Sequence, residues 1–522
     1  MGFKKKIIIP IIFVLIFTTS LFLLNNIGVW RIDDALMFKF SKNCFGGQIE
    51  KEFYIKGFHT PYLPFLAINN NQISYRLAQS LFLSISGILI YLTALNLYNK
   101  RIGIITLLII LASPILIRFN GEMPVLLLYT SMIFYFIVKY YKRNENKFLY
   151  LASIILGFAI SIKLLFIYVA LSFLIASLIL YRNRIRKING ITFFVTFLMI
   201  LVGCSGFITL NIANDFLTLQ YMSKNSITTR GNYNNLNILD NFLTRIYHTK
   251  DLLEIPSRFR QLRNLISNKI RFFINNTIFV LSSIFVIIKR RRKDLFLLTF
   301  MGLFLMMTIF IPTIPNLQHL APLIPMIFIL MSLLINELPK KSSYFLLTLI
   351  IIFNILTVTQ VGYIINDEKL TREKIPHLSN VHKEVKKYID NEDIIITVFP
   401  WQAIYLNNSY PEIDVKITPQ EHEHNKGAIL KINETEDLLK RSLMRKSKVM
   451  FIFPSKKRSE EEKSVYSWWC YWVREEKNLC VRPFSIFNNL KSKLNISCNK
   501  KIQVNGEFKK PVYNIYTDCK KK

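Results

Sequence analysis

"NNIGVWRIDDALMFKFSKN", residues 25–43, places two adjacent carboxylates, Asp33 and Asp34, just after a run from Ile7 to Asn25 made almost wholly of Ile, Leu, Phe, Val and Thr. That run is long enough to span a bilayer. It is too long for a removable signal peptide and lacks a small-residue cleavage site, so it reads as a retained signal-anchor helix. Two neighbouring carboxylates at a membrane edge repel each other and attract cations, so they need water or a function. The contrast of greasy run and polar edge recurs to about residue 365 of the 522. Hydrophobic residues make up 52%, and they come in long uncharged runs rather than at amphipathic helical spacing, which excludes a soluble globular reading.

The net charge of +34 would fit a nucleic-acid partner if it formed one surface. Its placement excludes that. Lys4–Lys6, Asn99–Arg101, Lys142–Lys147, Arg182–Lys187, Lys289–Lys293 and Lys340–Lys341 each fall between two apolar runs and mark every second loop. This is the positive-inside pattern, which keeps basic loops in the cytoplasm.

The loop signs set a topology of about eleven transmembrane helices. Span 1 (7–29) leaves the cytoplasm and span 2 (73–98) returns; spans 3 (102–119) and 4 (123–141) follow. Phe148 to Tyr181 is 34 residues with one charge, Lys163. A single helix of that length would reach roughly 51 Å against a hydrocarbon core of about 30 Å. Both flanks are basic and belong on one side, so the stretch reads as a hairpin with Lys163 at its outer tip. Span 7 (191–212), span 8 (272–288), span 9 (295–312), span 10 (320–337) and span 11 (343–365) complete the order, with long outer loops at 30–72 and 213–271. The N-terminus is then cytoplasmic and the C-terminal part outside.

Residues 366–522 change character, with charged helical stretches, short β-rich runs ("IIITVF", "VMFIF") and Pro-marked turns. They read as an extracytoplasmic α/β domain with its own core, beside a membrane domain at 1–365. Cys470, Cys480, Cys498 and Cys519 lie there with 9, 17 and 20 residues between them, spacings that fit no zinc signature well. An even number outside the cytoplasm reads as two disulfides, with three connectivities open. Paired outer cysteines favour a periplasm and hence the inner membrane of a Gram-negative cell. "EHEHNKG" (421–427) has two His without further ligands, and reads as a polar loop. "SWWCYWV" (467–473) reads as an aromatic strand or a glycan-stacking surface.

On this topology the unusual polar residues collect at the outer face: Arg31, Asp33 and Asp34 after span 1, His59 in "GFHTPYLP", Arg118 and Glu122 in "RFNGEMP", Lys163, and His319 in "PNLQHLAPLIP". Short turns hold them at headgroup depth, a setting that suits a phosphate on a lipid tail. Each also has a plain structural reading. The acid pair can cap a helix; Glu122 can favour a helix N-terminus; Lys163 can snorkel; the arginines can anchor to headgroups; and the histidines can be structural. The outer loop 213–271 has nine Lys or Arg against four acids, and its "DLLEIPSRFRQLRNLISNKI" has the look of an interfacial helix.

"VWRIDDALMFKFSKN" resembles the first outer loop of the GT-C superfamily of glycosyltransferases, and in particular of the lipid A aminoarabinose transferases and protein O-mannosyltransferases. "HTPYLP", "RFNGEMPVLLLYTSMIFYFIVK" and "LQHLAPLIPMI" are similar to three further stretches of that superfamily, in order, over roughly residues 7–340. Two positions depart from the pattern: a Pro-Pro is broken to Thr60-Pro61, and an Arg-Tyr stands here as Gln318-His319. The resemblance implies a GT-C-like fold and transfer of a sugar from a polyprenyl-phosphate carrier, with inversion, to a lipid, glycan or protein acceptor. It implies Asp33 as general base and Asp34 as an orienting group or a ligand for Mg²⁺ or Mn²⁺, a cation the pair can bind without requiring one. Arg31, His59, Arg118, Glu122, Lys163 and His319 would then bind substrate, with the cations on the departing phosphate. A lipid flippase or a non-enzymatic envelope scaffold are the rival readings; intramembrane charges on broken, repeated helices would favour the first.

Overall fold

The computed structural model describes Thr18 and residues 60–68, 72–113, 123–185, 188–213, 216, 229–230, 233–234, 238–253, 266–309, 317–366, 394–397, 414–417, 449–454, 496–505 and 511–521. The chain divides into two compact units, the second of which takes Thr229–Tyr233 as well as the chain from Ile364 on.

The first unit is helical. After a 3-10 turn at Thr60–Tyr62 come α1 (Leu63–Ile68), α2 (Gln72–Leu97), α3 (Lys100–Ala112), α4 (Met123–Arg143), α5 (Asn146–Ile162) and α6 (Leu165–Leu180). They are followed by α7 (Arg182–Ile185), α8 (Gly190–Ala213), α9 (Ile238–Leu252), α10 (Ile266–Lys289), α11 (Arg292–Thr308), a 3-10 segment (Leu317–Leu323), α12 (Ile324–Glu337) and α13 (Lys340–Asn366). Among the described residues six stretches are long and apolar enough to cross a membrane, within α2, α4, α8 and α10, from His319 to Glu337, and within α13. The run from 148 to 181 is a hairpin: α5 ends on Lys163, whose extended backbone (φ −154°, ψ 123°) caps the helix, and α6 starts two residues on. Span 1 lies outside the described residues except for Thr18, which is helical and donates from Oγ1 to Ser84 Oγ of α2 at 2.8 Å.

Two helices depart from the sequence reading, both through proline. Span 3 was expected over 102–119, but α3 stops at Ala112, where Ser113 turns extended (φ −74°, ψ 122°). Pro114 follows, and its ring disfavours helical backbone in the residue before it. At about 1.5 Å per residue α3 is roughly 20 Å long, short of a bilayer core by itself. Span 10 was expected as one helix from 320. It opens instead as the 3-10 segment containing Pro322, and only Ile324 starts the α-helix, with Pro325 in its first turn.

Packing places α12 at the centre, buried along nearly its whole length against α3 and α10. Thr106 of α3 donates to Ser332 of α12 at 2.9 Å inside that contact. On the other side α2 packs on α4, α4 on α5, α5 on α8 and α6 on α11. Phe134, Phe173, Phe296 and Phe300 fill the space between, with Phe173 and Phe300 ring centroids 4.2 Å apart. The crossing of α5 and α8 is the tightest: Gly157 and Gly203 face each other so closely that a Cβ on Gly157 would lie 2.8 Å from the Gly203 Cα and collide with the Ile200 carbonyl oxygen. Ser161 Oγ donates to the Gly203 carbonyl at 3.2 Å, and Cys204 Sγ to the Gly157 carbonyl at 3.3 Å. Cys204 is thus a packing residue.

The basic loops meet at one end of this unit. Tyr98 donates to Asp294 at 2.7 Å, Lys293 to the Leu97 carbonyl at 3.0 Å, Arg101 to Ser343 at 3.3 Å and Arg291 to Glu337 at 2.8 Å. Tyr141 stacks on Tyr181 with centroids 4.7 Å apart, and its hydroxyl bonds Ser177. These links gather the 98–101, 141, 181, 291–294 and 337–343 segments, as the positive-inside reading requires.

Among the described residues the second unit holds a five-stranded mixed sheet in the order β4-β3-β5-β7-β6. β3 (Ile394–Thr397) runs parallel to β4 (Asp414–Ile417) and β5 (Val449–Pro454), while β7 (Pro511–Lys521) is antiparallel to both β5 and β6 (Ile496–Asn505). A separate two-stranded pair, β1 (Thr229–Arg230) and β2 (Tyr233–Asn234), completes the numbering. Runs of β-branched residues such as "IIIT" fit a sheet covered on both faces. "EHEHNKG", "SWWCYWV", Cys470 and Cys480 lie outside the described residues.

Candidate functional site

Arg31, Asp33, Asp34, His59, Arg118 and Glu122 lie outside the described residues, so of the site residues read from sequence the structure places Lys163 and His319. Both stand at the end of the helical unit away from the basic loops. Lys163 is half-buried at the α5–α6 turn, where its amide donates to the Ala159 carbonyl at 2.9 Å. His319 is buried in the 3-10 segment, and Leu320 to Leu323 around it are fully enclosed. That segment packs on α4 just after Glu122, on α9 and on α11. His319 therefore belongs to a junction of four elements, whereas Lys163 belongs to a hairpin whose main packing is with α4, α8 and α11.

The stretch after His59 is also fixed by packing. Tyr62 is fully buried, with its ring 4.5 Å from that of Tyr75 and 5.3 Å from that of Phe82, so the Thr60–Tyr62 turn is pinned onto α2.

Sequence reasoning passed over three residues that the structure brings forward. Arg76, Arg245 and Arg271 are at most 1% exposed. Arg76 lies in the second turn of α2, where its Nη1 donates to Gln79 Oε1 at 2.8 Å. Arg271 lies in the second turn of α10, and Arg245 in the middle of α9. All three belong to the end of the unit that carries His319. One turn beyond Arg271, Asn275 donates to Asn354 of α13 at 3.4 Å. At the opposite end the cations are spread on the surface: Lys142, Arg143, Lys289, Arg290, Arg291, Arg292 and Lys293 are exposed.

Burying a guanidinium is costly unless oxygen acceptors surround it. Its planar fork suits carboxylate and phosphate oxygens, and low dielectric strengthens the attraction. Arg76 meets part of this cost through its bond to Gln79. Among the described residues no group of three or more His, Cys, Asp or Glu could hold a metal ion.

Comparison with known proteins gives the fold a wider setting. A family model described as dolichyl-phosphate-mannose-protein mannosyltransferase matches residues 63–209. Curated protein sequences give no match. Among solved structures the chain is similar to ArnT from Cupriavidus metallidurans in the apo state, with a TM-score of 0.63 at 10% identity over 98% of either chain. It is similar to the same protein bound to undecaprenyl phosphate, with a TM-score of 0.61 at 10% identity over 99% of this chain and 98% of that one. The Archaeoglobus fulgidus oligosaccharyltransferase in complex with Zn and sulfate follows at 0.52 and 11% identity, covering 90% of this chain and 70% of that one. Together they show, at the level of the fold, the GT-C resemblance carried by the sequence.

Proposed function

We propose that this chain, with the fold of GT-C glycosyltransferases, is an inverting transferase that moves a sugar from a polyprenyl-phosphate carrier to an acceptor at the outer face of the cytoplasmic membrane. The observation that carries this is the division of its cations: exposed at the basic-loop end, buried as Arg76, Arg245 and Arg271 at the end with His319. Exposed cations set topology. A guanidinium fork suits phosphate oxygens, and a lipid-borne phosphate is an anion that can reach this end from the bilayer. The similar ArnT structure bound to undecaprenyl phosphate supports the same donor class. The acceptor is lipid A, another envelope glycan or a protein, and the donor a hexose or pentose.

In this reading Asp33 accepts the acceptor's proton, and Asp34 orients the acceptor or holds a divalent cation. Arg31, Arg118, Lys163 and the buried arginines take the charge of the departing phosphate, a contribution of about 2.7–4 kcal/mol per well-placed donor. His59, Glu122 and His319 complete the substrate pocket. Residues 1–365 form the catalytic domain with eleven spans and a cytoplasmic N-terminus, in a bacterial inner membrane. Residues 366–522 form an α/β domain outside it.

The test is transfer by the purified full-length protein in liposomes, offered a panel of polyprenyl-phosphate sugars with candidate acceptors. Turnover of one donor supports the reading. Donor uptake across the bilayer without transfer replaces it with a flippase. Absence of any donor binding leaves the scaffold.

The register of the sheet narrows the disulfide question. Cys498 of β6 stands directly opposite Cys519 of β7. Opposed residues of an antiparallel pair have Cα atoms about 4.5 or 5.5 Å apart, inside the disulfide range. A bond there leaves Cys470 with Cys480. Peptide mapping without reductant should recover the 498–519 linked pair from protein made with an oxidising outer compartment. Recovery of both thiols alkylated would remove the bond from the reading.

A further inference from the structure

From Leu239 to Thr249 helix α9 is amphipathic in the reverse of the usual sense, although Asp240 is exposed at the edge of its apolar face and Leu252 is buried at its far end. Along one face Asn241, Arg245 and Thr249, spaced by four, are turned inward with relative exposures of 2%, 0% and 6%. Along the other, Leu239, Leu243, Ile246 and Tyr247 are 66%, 54%, 46% and 52% exposed. A helix on a protein in water does the opposite, since its apolar stripe faces the core and its polar face the solvent. An exposed apolar face of this size, backed by a buried polar one, needs an apolar medium outside.

We infer that α9 is seated in the bilayer leaflet at this end of the helical unit, with Leu239, Leu243, Ile246 and Tyr247 among acyl chains and Arg245 turned into the protein. The occupant of the exposed face is lipid rather than a second protein, because the face continues a lipid-facing belt. On α11, against which α9 packs, Met306 is 53% exposed, and at the start of α10, Phe273 is 71% exposed. Both helices belong to the apolar bundle. α9 itself is too short and too polar on one side to cross a bilayer, but suits the headgroup–acyl boundary. The inference concerns α9 alone and stands whether or not sugar transfer is the activity. It adds a mechanical role: the leaflet holds the outside of the helix while the protein holds Arg245, so the guanidinium is fixed at the depth where lipid phosphates lie.

The test is photo-cross-linking of the full-length protein in phosphatidylethanolamine–phosphatidylglycerol liposomes, with a benzophenone amino acid replacing Leu243. Phe193, 69% exposed on α8, serves as the lipid-facing reference. Lipid adducts at 243 in a yield roughly equal to that at 193 are expected. Adducts to residues 364–522 of the chain, or to a second copy, would overturn the inference. So would absence of adducts at 243 while 193 reacts, which would place the face in water.

Discussion

Asp33→Asn should reduce sugar transfer by a factor of about 10²–10⁴, the range contributed by a positioned general base, with the protein still folded and the donor still bound. The amide preserves the shape of the carboxylate and can hydrogen-bond an acceptor, but it cannot take its proton. Donor binding should survive, because in the proposed reading the carrier phosphate is held by cations such as Arg245 and Arg271, which this change leaves alone. Single-turnover transfer in liposomes, read beside donor affinity, separates the two. A drop in turnover with unchanged affinity assigns the base. Equal loss of both would mean that Asp33 organises the site instead. Undiminished transfer would shift the role to Asp34 or Glu122.

Gly157→Val should release α8 from the bundle. The new side chain would meet backbone atoms, the Ile200 carbonyl and the Gly203 Cα, and backbone cannot rotate out of the way as a flexible side chain can. Overpacking a core costs about 1–3 kcal/mol, and a helix–helix crossing set by glycine belongs at the upper end. The crossing also carries the Ser161–Gly203 and Cys204–Gly157 hydrogen bonds, which separate with the helices. Gly206→Val is the matched control, because a Cβ there meets nothing within 4 Å. Thermal melting in mild detergent should show a marked loss for the first variant and almost none for the second. Equal behaviour would mean that α8 is held elsewhere.

Spans and strands were legible where one physical signal dominates. Uncharged runs bounded by basic loops gave α2, α4, α8 and α13 to within three residues, and α10 except for its first six, which were read as loop. The single charge at Lys163 marked the hairpin turn, since both flanks had to share a side. "IIIT" and "VMFIF" became β3 and β5. The breaks at Ser113 and Leu323 carried a readable signal, proline at 114, 322 and 325, which hydropathy averaging conceals. The arginines were harder. Arg76 and Arg271 sit at the edges of apolar runs, where a charge reads equally as a headgroup anchor or a buried ion. For Arg245 the polar spacing with Asn241 and Thr249 identifies a two-faced helix but not which face turns inward. That Cys498 and Cys519 face each other waited on register, which a sequence with twenty residues between them leaves open.

The hydrogen bonds that gather the basic loops join distant parts of the chain: Tyr98 to Asp294 and Lys293 to Leu97 each span 196 residues, and Arg101 to Ser343 spans 242. At synthesis rates of about 5–20 residues per second, α2 and α3 are in place roughly 10–40 s before their partners emerge. During that interval Tyr98 has no Asp294, and the faces of α3 that will meet α12 are open to lipid or to an insertion factor. The bundle therefore closes late in biogenesis, when the ribosome has passed α12. A nascent chain stalled before Asp294 would leave this surface unfinished, with Tyr98 lacking its carboxylate partner.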